Sequence, residues 1–302
     1  MSTKWNTANI PPQEGKTFLV TGANSGLGFG TSKALAQKGA KVVMTVRNLQ
    51  KGEQALAAIK SKIPTADLVL MQLDLADLSS VERFTEAFQQ RFQRLDVLIN
   101  NAGVMMPNTR QLTQQGFELQ FGTNHIGHFV LTRNLLPILE QTQASRIVTL
   151  SSLVAKMSKA DIYWEDLQWE QSYDKMAAYA QSKLANMMFG VELHQRLKTK
   201  QSNTISVLAH PGYTATNLQN NMGIQGKIMN FLFAQKLQMG ILPTLRAATD
   251  PNVKGGEYYG PERMGNFRGY PVLNELNPVA LDSSLNQRLW KVSEDLIQVN
   301  FN

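Results

Sequence analysis

The 302-residue sequence predicts a single-domain α/β fold, in which helices cover both faces of a doubly wound parallel sheet of about seven strands. Two observations support this prediction. Short apolar runs alternate along the chain with segments of helical spacing, and a parallel sheet with crossover helices is the arrangement that such alternation produces. No stretch rich in Pro, Gly or Ser divides the chain, so the alternating elements belong to one domain.

The elements are expected in alternating order after an N-terminal tail over residues 1–14. The predicted strands are the apolar runs Lys16–Val20, Lys41–Val46, Leu68–Leu73, Val97–Ile99, Arg146–Leu150, Ile205–Leu208 and Glu257–Tyr259. The predicted helices are Leu27–Lys38, Asn48–Lys60, Ser79–Phe92, Phe117–Leu139, Ala177–Leu197, Gly226–Met239 and Leu285–Ile297. The single domain is expected to span residues 15–302, with a lid at about 213–245 and a C-terminal extension at about 262–302.

Composition and charge exclude several classes of protein. The sequence has no Cys, which excludes a disulfide scaffold, a thiolate nucleophile and a zinc or iron–sulfur site with cysteine ligands. Apolar residues make up 43% of the chain, which is enough for a full core and excludes a disordered protein. The net charge of +7 is scattered, so an anionic small molecule is a better partner than a nucleic acid.

Neither a membrane-spanning segment nor a signal peptide is expected. The apolar stretches fall short of the ~18 residues that a transmembrane helix needs, and the first six residues lack the apolar core of a signal peptide. We therefore expect a cytoplasmic protein. The apolar segment from Ile228 to Leu242 leaves open a peripheral association with membranes.

A glycine-rich turn follows the first predicted strand. It runs from Thr21 to Gly28, with glycines at positions 22, 26 and 28. Glycines let the backbone turn sharply and approach a pyrophosphate closely, and the helix that follows offers amide donors and a partial positive charge. The turn therefore predicts a dinucleotide site, although its spacing differs from G-x-G-x-x-G.

The end of the second predicted strand indicates which dinucleotide is bound. An NAD site has Asp or Glu here to bind the ribose 2′-hydroxyl, but no carboxylate occurs between Ala40 and Gly52. Arg47 suits a 2′-phosphate instead, with further charge from Lys51. This pattern favours NADP(H) over NAD(H). The alternative is that Arg47 is an ordinary solvated residue.

Tyr179, Lys183 and Ser152 predict acid–base chemistry. Tyr179 and Lys183 are four residues apart in a long helix and therefore share one face. A phenol has a pKa of ~10 that a neighbouring ammonium group lowers, so the pair suits proton donation to a carbonyl oxygen. Ser152 follows the fifth predicted strand, where such sheets bind ligands. The alternative is that it only forms a turn.

Two further clusters contain polar side chains that suit binding. Residues 100–103, Asn-Asn-Ala-Gly, end the fourth predicted strand. Asn124 stands in a predicted helix although Asn is a poor helix former, which indicates a hydrogen-bonding role. His125 and His128 resemble metal ligands, but the chain has only four His and no Cys, and no third ligand is evident. No metal site is expected.

Together these residues resemble the short-chain dehydrogenase/reductase superfamily, whose fold is of the Rossmann type. The matching positions are Thr21, Gly22, Gly26, Gly28, Asp74, Asn100, Asn101, Ala102, Gly103, Asn124, Ser152, Tyr179, Lys183, Pro211 and Gly212. The resemblance runs from about Lys16 to Gly212 and continues more weakly to the C-terminus. Residues 46–48, 123–129 and 182–186 are similar to the branch of retinol dehydrogenases, WW-domain oxidoreductases and protochlorophyllide reductases.

The resemblance implies catalytic roles for four residues. Tyr179 would be the general acid in reduction and the base in oxidation, and Lys183 would hold the nicotinamide ribose and lower the pKa of Tyr179. Ser152 would orient the substrate carbonyl. Asn124 would bind a water that links Lys183 to solvent.

The resemblance also implies a set of residues that bind NADP(H). These are Gly22, Asn24, Ser25, Gly26, Leu27, Gly28, Arg47, Asn48, Asp74, Leu75, Asn101, Ala102, Gly103, Tyr179, Lys183, Pro211, Gly212 and Thr214. Asp74 and Leu75 would contact the adenine, and residues 101–103 would line the adenosine side. Residues 211–214 would approach the nicotinamide carboxamide.

The expected function is NADP(H)-dependent transfer of a hydride between nicotinamide and a carbonyl group, or a primary or secondary alcohol, of an apolar substrate. One alternative is an NADP(H)-binding regulator or scaffold without turnover. Another is an activity like that of protochlorophyllide reductase, which the absence of Cys disfavours. The helices Phe117–Leu139 and Ala177–Leu197 form dimer bundles in the family, so a homodimer or homotetramer is expected unless the C-terminal extension blocks it.

Overall fold

The computed structural model describes residues 4–157, 160–214 and 235–301, and these form one sheet with helices on both faces. The strands are β1 (Thr17–Thr21), β2 (Lys41–Val46), β3 (Leu68–Gln72), β4 (Val97–Asn100), β5 (Arg146–Leu150), β6 (Ile205–Ala209), β7 (Tyr258–Arg263) and β8 (Arg268–Leu273). Their order across the sheet is β3-β2-β1-β4-β5-β6-β7-β8. The order reverses between β1 and β4, where doubly wound sheets bind ligands at the carboxyl ends of the strands.

The seven predicted strands are confirmed, and they pair in parallel throughout. The sheet has one strand more than the roughly seven predicted, because β8 pairs with β7 in the antiparallel direction. Gly269 and Pro271 interrupt the apolar pattern of β8. Proline is tolerated at a sheet edge, where its missing N–H removes no interior hydrogen bond, and this edge position accounts for the weak strand signal.

The helices confirm most of the predicted boundaries. They are α1 (Gly26–Ala36), α2 (Leu49–Lys60), α3 (Leu78–Arg91), α4 (Leu119–Phe121), α5 (Gly127–Gln141), α6 (Lys175–Thr199), α7 (Leu237–Gly240), α8 (Leu242–Thr249), α9 (Pro278–Leu281) and α10 (Ser283–Ile297). Asn48 caps α2 as predicted, since its side chain accepts a hydrogen bond from the Lys51 amide. The predicted helix over 117–139 is instead interrupted by a π-helical turn at Gly122–Ile126.

Two apolar clusters lie on opposite faces of the sheet. Phe18 and Val20 of β1 belong to one cluster, and Leu19 between them belongs to the other. Side chains alternate across a strand, so this partition shows that both faces are buried. Trp5 and Ile10, from the segment predicted to be a tail, are buried in the first cluster.

Part of the predicted lid and of the apolar segment 228–242 falls on residues 215–234, outside the described residues, as does most of the predicted helix over 226–239. Within the described part of that segment, Ile241 and Leu242 are buried in the first apolar cluster. Among residues 4–157, 160–214 and 235–301, no helix is both long enough and apolar enough to cross a membrane.

The C-terminal helix α10 packs on α6 through an aromatic cluster. The Trp290 ring lies 5.1 Å from Phe129, 5.7 Å from Phe189 and 4.5 Å from Phe301, measured between centroids. The Arg196 guanidinium covers Trp290 from outside, 4.2 Å above its ring. The C-terminal extension is therefore part of the folded domain.

Replacing Trp290 with Ala is expected to lower the free energy of unfolding by about 3–5 kcal/mol, because it opens a large cavity among buried aromatic rings. Urea unfolding followed by circular dichroism measures the change. Leu281 is a matched control, because it stands just before α10 and is 64% exposed. Leu281→Ala should change the free energy by less than about 0.5 kcal/mol. Equal losses in the two variants would contradict the assigned packing.

Candidate active site

The glycine-rich turn between β1 and α1 lies against the end of β4. Thr21 Oγ1 accepts hydrogen bonds from the backbone amides of Asn101 and Ala102, both at 2.9 Å. A Cβ at Gly28 would lie 2.3 Å from the Gly22 carbonyl oxygen and 2.7 Å from Asn101 Nδ2. Position 28 therefore admits only glycine, which lets the start of α1 pack closely against the turn, as in dinucleotide-binding sites.

The N-terminus of α1 offers free amide donors beside a basic residue. Ser25 stands at the N-cap position, and within the described residues its side chain makes no capping bond to the first turn. A groove beside it is lined by Asn24, Ser25, Phe29, Lys51 and Gln54 together with two alanines of α2. Arg47, at the end of β2, is exposed. Helix amides and cations suit phosphate groups, so these residues fit a phosphorylated dinucleotide.

His128 is a structural hydrogen-bonding residue. Its Nδ1 lies 2.9 Å from the Asn124 carbonyl oxygen, which can only accept, so Nδ1 carries the proton. Its Nε2 then accepts the hydroxyl proton of Thr21 at 2.9 Å. Burial lowers the pKa of His128 to about 4, so the ring is neutral. Among the described residues no group of three or more possible metal ligands occurs.

Tyr179, Ser152 and Lys183 converge at the carboxyl end of β5. The Tyr179 hydroxyl lies beside the Ser152 side chain, which lowers its pKa, and both side chains line one cavity. Lys183 Nζ donates to the Leu150 carbonyl at 3.3 Å, while the Ser151 hydroxyl donates to the Lys183 carbonyl at 2.8 Å. These bonds tie α6 to the end of β5 and fix the relative positions of the phenol and the ammonium group.

Burial controls the ionisation of both α6 side chains. It raises the pKa of Tyr179 to about 12, and the nearby Ser152 side chain offsets only part of this rise. It lowers the pKa of Lys183 to about 8. In the chain by itself burial therefore sets the direction of both shifts, and the lowering of the Tyr179 pKa by Lys183 stays a prediction.

Asn124 lies in the π-helical turn and is fully buried. Its side chain donates to the Val104 carbonyl at 3.0 Å and to Ser182 Oγ at 2.9 Å, and it accepts from the Val104 amide at 2.8 Å. A Cβ at Gly103 would lie 3.1 Å from Asn124 Oδ1 and 3.4 Å from Lys183 Nζ. Asn124 and Lys183 therefore border the same backbone, and the wider turn of the π-helix lets the amide reach it.

The residues assigned to the adenine differ in what they present. The Asp74 carboxylate accepts from the Ala76 amide at 3.0 Å, and Asp74 is half-buried beside a surface groove. Leu75 is buried, and its side chain belongs to the second apolar cluster. Its carbonyl lies so close to Gly127 that a Cβ there would approach to 2.4 Å. Only the backbone of Leu75 is left for a ligand.

A cavity of about 270 Å³ lies against Tyr179, Ser152 and Lys183. Gly103 and the segment 211–214 line it as well, which brings together most residues assigned to the nicotinamide end. Its other walls are largely apolar and include Met105, Met106, Leu153, Val154, Met157, Met176 and Phe267. A few polar groups in an apolar concavity are typical of small-molecule sites.

Comparison with known proteins gives the family of the chain. Residues 16–163 match the family model described as short chain dehydrogenase. Mouse retinol dehydrogenase 14 is 39% identical over 304 residues, which cover 94% of this chain and 86% of that protein. The chain is a short-chain dehydrogenase/reductase. Human retinol dehydrogenase 13 is 36% identical, and the match covers 96% of this dehydrogenase/reductase and 86% of the human protein.

Solved structures share this fold. An uncharacterised protein from Mycobacterium paratuberculosis superposes with a TM-score of 0.83 at 37% identity, covering 99% of this chain and all of that one. A short-chain dehydrogenase from Burkholderia cenocepacia, whose structure contains NADP, has a TM-score of 0.65 at 22% identity. The match covers 81% of this chain and 95% of the Burkholderia chain. With identities of 33–39% to retinol dehydrogenases 11–14, this oxidoreductase belongs to their branch, which acts on CH–OH or C=O groups.

Several residues that the sequence did not predict hold the site together. Ser151 and Asn186 contact the same end of β5 as Lys183, and Asn186 Nδ2 donates to the Leu150 carbonyl at 3.1 Å. His210 and Gln235 hold the segment 211–214. Asn186 lies three residues after Lys183 and therefore shares its helix face, a spacing that could have identified it.

Proposed function

We propose that the chain is an NADP(H)-dependent oxidoreductase that reduces the carbonyl group of an apolar aldehyde or ketone, or catalyses the reverse reaction. The convergence of Tyr179, Ser152 and Lys183 on one largely apolar cavity is the observation that carries this proposal. The cofactor supplies the hydride when it is bound, and the protein supplies the proton and the placement.

The proposal assigns a role to each polar group. Ser152 donates a hydrogen bond to the carbonyl oxygen and holds it beside the Tyr179 hydroxyl, which delivers the proton. Lys183 binds ribose hydroxyls and stabilises the phenolate that remains. Asn124, which borders the same Gly103 backbone as Lys183, binds a water that returns the proton from solvent.

Burial keeps the Tyr179 phenol protonated at neutral pH, so the chain by itself holds the proton that reduction of a carbonyl consumes. Oxidation of an alcohol requires the phenolate. We therefore expect the oxidation rate to rise as pH increases.

The residues proposed to hold the cofactor follow its length along the sheet edge. The pyrophosphate is proposed to lie against the glycine-rich turn, at Gly22, Asn24, Ser25, Gly26, Leu27 and Gly28. The 2′-phosphate would meet Arg47, Asn48 and Lys51, and the adenine would meet Asp74 and Leu75. The adenosine side would be lined by Asn101, Ala102 and Gly103, and the carboxamide would be bound by Pro211, Gly212 and Thr214. The absence of a carboxylate between residues 40 and 52 supports NADP(H) over NAD(H).

A panel of carbonyl compounds tests the proposed reaction. The named relatives are retinol dehydrogenases, so the panel begins with retinal and includes aliphatic aldehydes, aromatic ketones and a hydrophilic sugar aldehyde. Loss of nicotinamide absorbance with the apolar members and not with the sugar is expected. Tight NADPH binding without turnover of any member would instead favour the regulator or scaffold.

Arg47→Asp is expected to weaken NADPH binding at least tenfold while leaving NADH binding within about twofold. A guanidinium contact to phosphate is a charge-assisted hydrogen bond worth roughly 1.5–3 kcal/mol, and the new carboxylate repels the 2′-phosphate. Isothermal titration with both dinucleotides measures the change. Lys60→Asp makes the same charge change in the last turn of α2 and is the control. An equal loss for both dinucleotides would remove the phosphate role from Arg47.

The proposal also includes a cytoplasmic location and a homodimer or homotetramer. The expected dimer helices are α5 and α6, but α10 already packs on α6 and Phe301 contacts Phe129 of α5. A dimer that uses this face must therefore include α10 in its interface. Light scattering of the full chain, together with cell fractionation, tests both parts.

A further inference from the structure

His210 lies at the carboxyl end of β6 and is fully buried between the strands and the cavity wall. Its Nε2 is 2.8 Å from Asn274 Oδ1, and its Nδ1 is 3.2 Å from the backbone nitrogen of Gly212. The ring also packs 5.0 Å from that of Tyr258. A Cβ at Gly260 would collide with Nε2, so β7 can approach the ring only because position 260 is glycine.

These contacts define the protonation of the ring. The Gly212 amide can only donate, so Nδ1 is the acceptor and Nε2 carries the single proton, which it donates to Asn274. The Asn274 amide is oriented consistently, because its Nδ2 donates to the Val272 carbonyl. Burial lowers the pKa of His210 to about 4, which keeps the acceptor available at neutral pH.

The turn that His210 holds is one wall of the cavity. Gly212 has a φ of +62°, which favours glycine, and the Tyr213 amide donates to the Phe267 carbonyl at 2.8 Å. The Pro211 carbonyl accepts from Gln235 Nε2 at 2.7 Å, and Gln235 Oε1 in turn accepts from the Gly269 amide. The β7–β8 hairpin therefore holds this turn from two sides, and His210 connects the turn to Asn274, which follows the hairpin.

We propose that His210 is a positioning residue, whose Nδ1 fixes the turn over residues 211–214 so that its backbone grips the nicotinamide end of the cofactor. This inference rests on the proposed NADP(H) function. It makes the C-terminal hairpin part of the cofactor site, because Asn274 fixes the ring and the ring fixes Gly212. The adenosine half of the cofactor, at the opposite end of the sheet edge, is independent of His210.

Two conservative variants separate the two hydrogen bonds. In His210→Asn the side-chain oxygen can replace Nδ1 as acceptor for the Gly212 amide, whereas in His210→Gln the side-chain nitrogen can replace Nε2 as donor to Asn274. Binding is measured by titration with NADPH and with 2′-phospho-ADP-ribose, which lacks the nicotinamide ring. His194→Asn, in α6 next to Gly255 and Gly256, is the matched histidine control.

His210→Gln is expected to weaken NADPH binding roughly three- to tenfold, the effect of one lost hydrogen bond. His210→Asn keeps the acceptor for the Gly212 amide but loses the bond to Asn274, so a loss of about twofold is expected. Asn274→Ala removes the same bond and leaves the ring in place, so it should show the same loss of about twofold, and it serves if the His210 variants fail to fold. Binding of 2′-phospho-ADP-ribose should stay at the wild-type value in all three.

Three results would overturn the inference. An equal loss for NADPH and 2′-phospho-ADP-ribose would mean a general structural role, and an Asn variant as impaired as the Gln variant would mean that Nδ1 is not the controlling atom. Wild-type affinity for NADPH in every variant would remove His210 from the site. If the wild-type chain itself binds no NADPH, the cofactor assignment fails first, and the inference fails with it.

Discussion

Replacing Tyr179 with Phe is expected to lower kcat by at least 100-fold while leaving NADPH affinity within about twofold. General acid catalysis by a positioned side chain contributes typically 10²–10⁴-fold, and the substitution removes only the hydroxyl. The ring keeps its packing in a site where the residue is 8% exposed. Steady-state turnover and fluorescence titration with NADPH measure the two quantities separately.

Tyr259→Phe is the control for this experiment. Tyr259 is also buried, and its hydroxyl donates to Glu257 at 2.7 Å, but it does not line the cavity. The control should keep at least half of the wild-type kcat. A Tyr179→Phe enzyme that retains a third or more of wild-type activity would exclude the phenol as the proton donor, even if the cofactor still binds.

Lys183→Met is expected to abolish most activity and, at the same time, to stabilise the protein. The side chain is 5% exposed, and burial lowers its pKa from 10.5 to about 8. At pH 7 the folded protein must therefore keep a charge that burial disfavours. The Met variant buries no charge, so its free energy of unfolding should be roughly 1–3 kcal/mol higher than that of the wild type. A pKa shift of this size allows such a gain at 1.36 kcal/mol per pKa unit.

The stability advantage of the Met variant over the wild type should depend on pH. Between about pH 8 and 10.5 the unfolded wild-type chain still binds the Lys183 proton, whereas the folded chain has lost it. Wild-type stability therefore rises with pH through this window, and the advantage of the Met variant shrinks. Thermal unfolding of both proteins from pH 7 to 10 measures the difference. A variant that is less stable at every pH would contradict the assigned cost of burying the ammonium group.

Much of the fold could be predicted because it depends on local pattern. Apolar runs of strand length predicted β1–β6 and the start of β7 to within one residue, and Asn48 at the start of α2 was recognisable as a cap. The four-residue spacing of Tyr179 and Lys183 placed both on one face of α6, and both do line the same cavity. Helical periodicity and strand ends are properties that neighbouring residues determine.

Other features depend on contacts between residues that are far apart in the sequence, so no local sequence pattern predicts them. The bond between His210 and Asn274 joins residues 64 positions apart, and that between Thr21 and His128 joins residues 107 apart. The spacing of Tyr179 and Lys183 reveals a neighbouring ammonium group but not the depth of burial, and burial raises the pKa of Tyr179 in the chain by itself. The edge strand β8 was missed because Gly269 and Pro271 interrupt the apolar pattern that indicates a strand.

Transfer of deuterium from the cofactor tests the central claim most directly. The wild-type enzyme is incubated with an apolar aldehyde and NADPH that carries deuterium at the transferable position of the nicotinamide ring. Mass spectrometry of the alcohol should show one deuterium bound to the former carbonyl carbon, and the Tyr179→Phe enzyme should form almost none of this product. An alcohol without deuterium, or no alcohol from any aldehyde although NADPH binds stoichiometrically, would contradict the proposed hydride transfer.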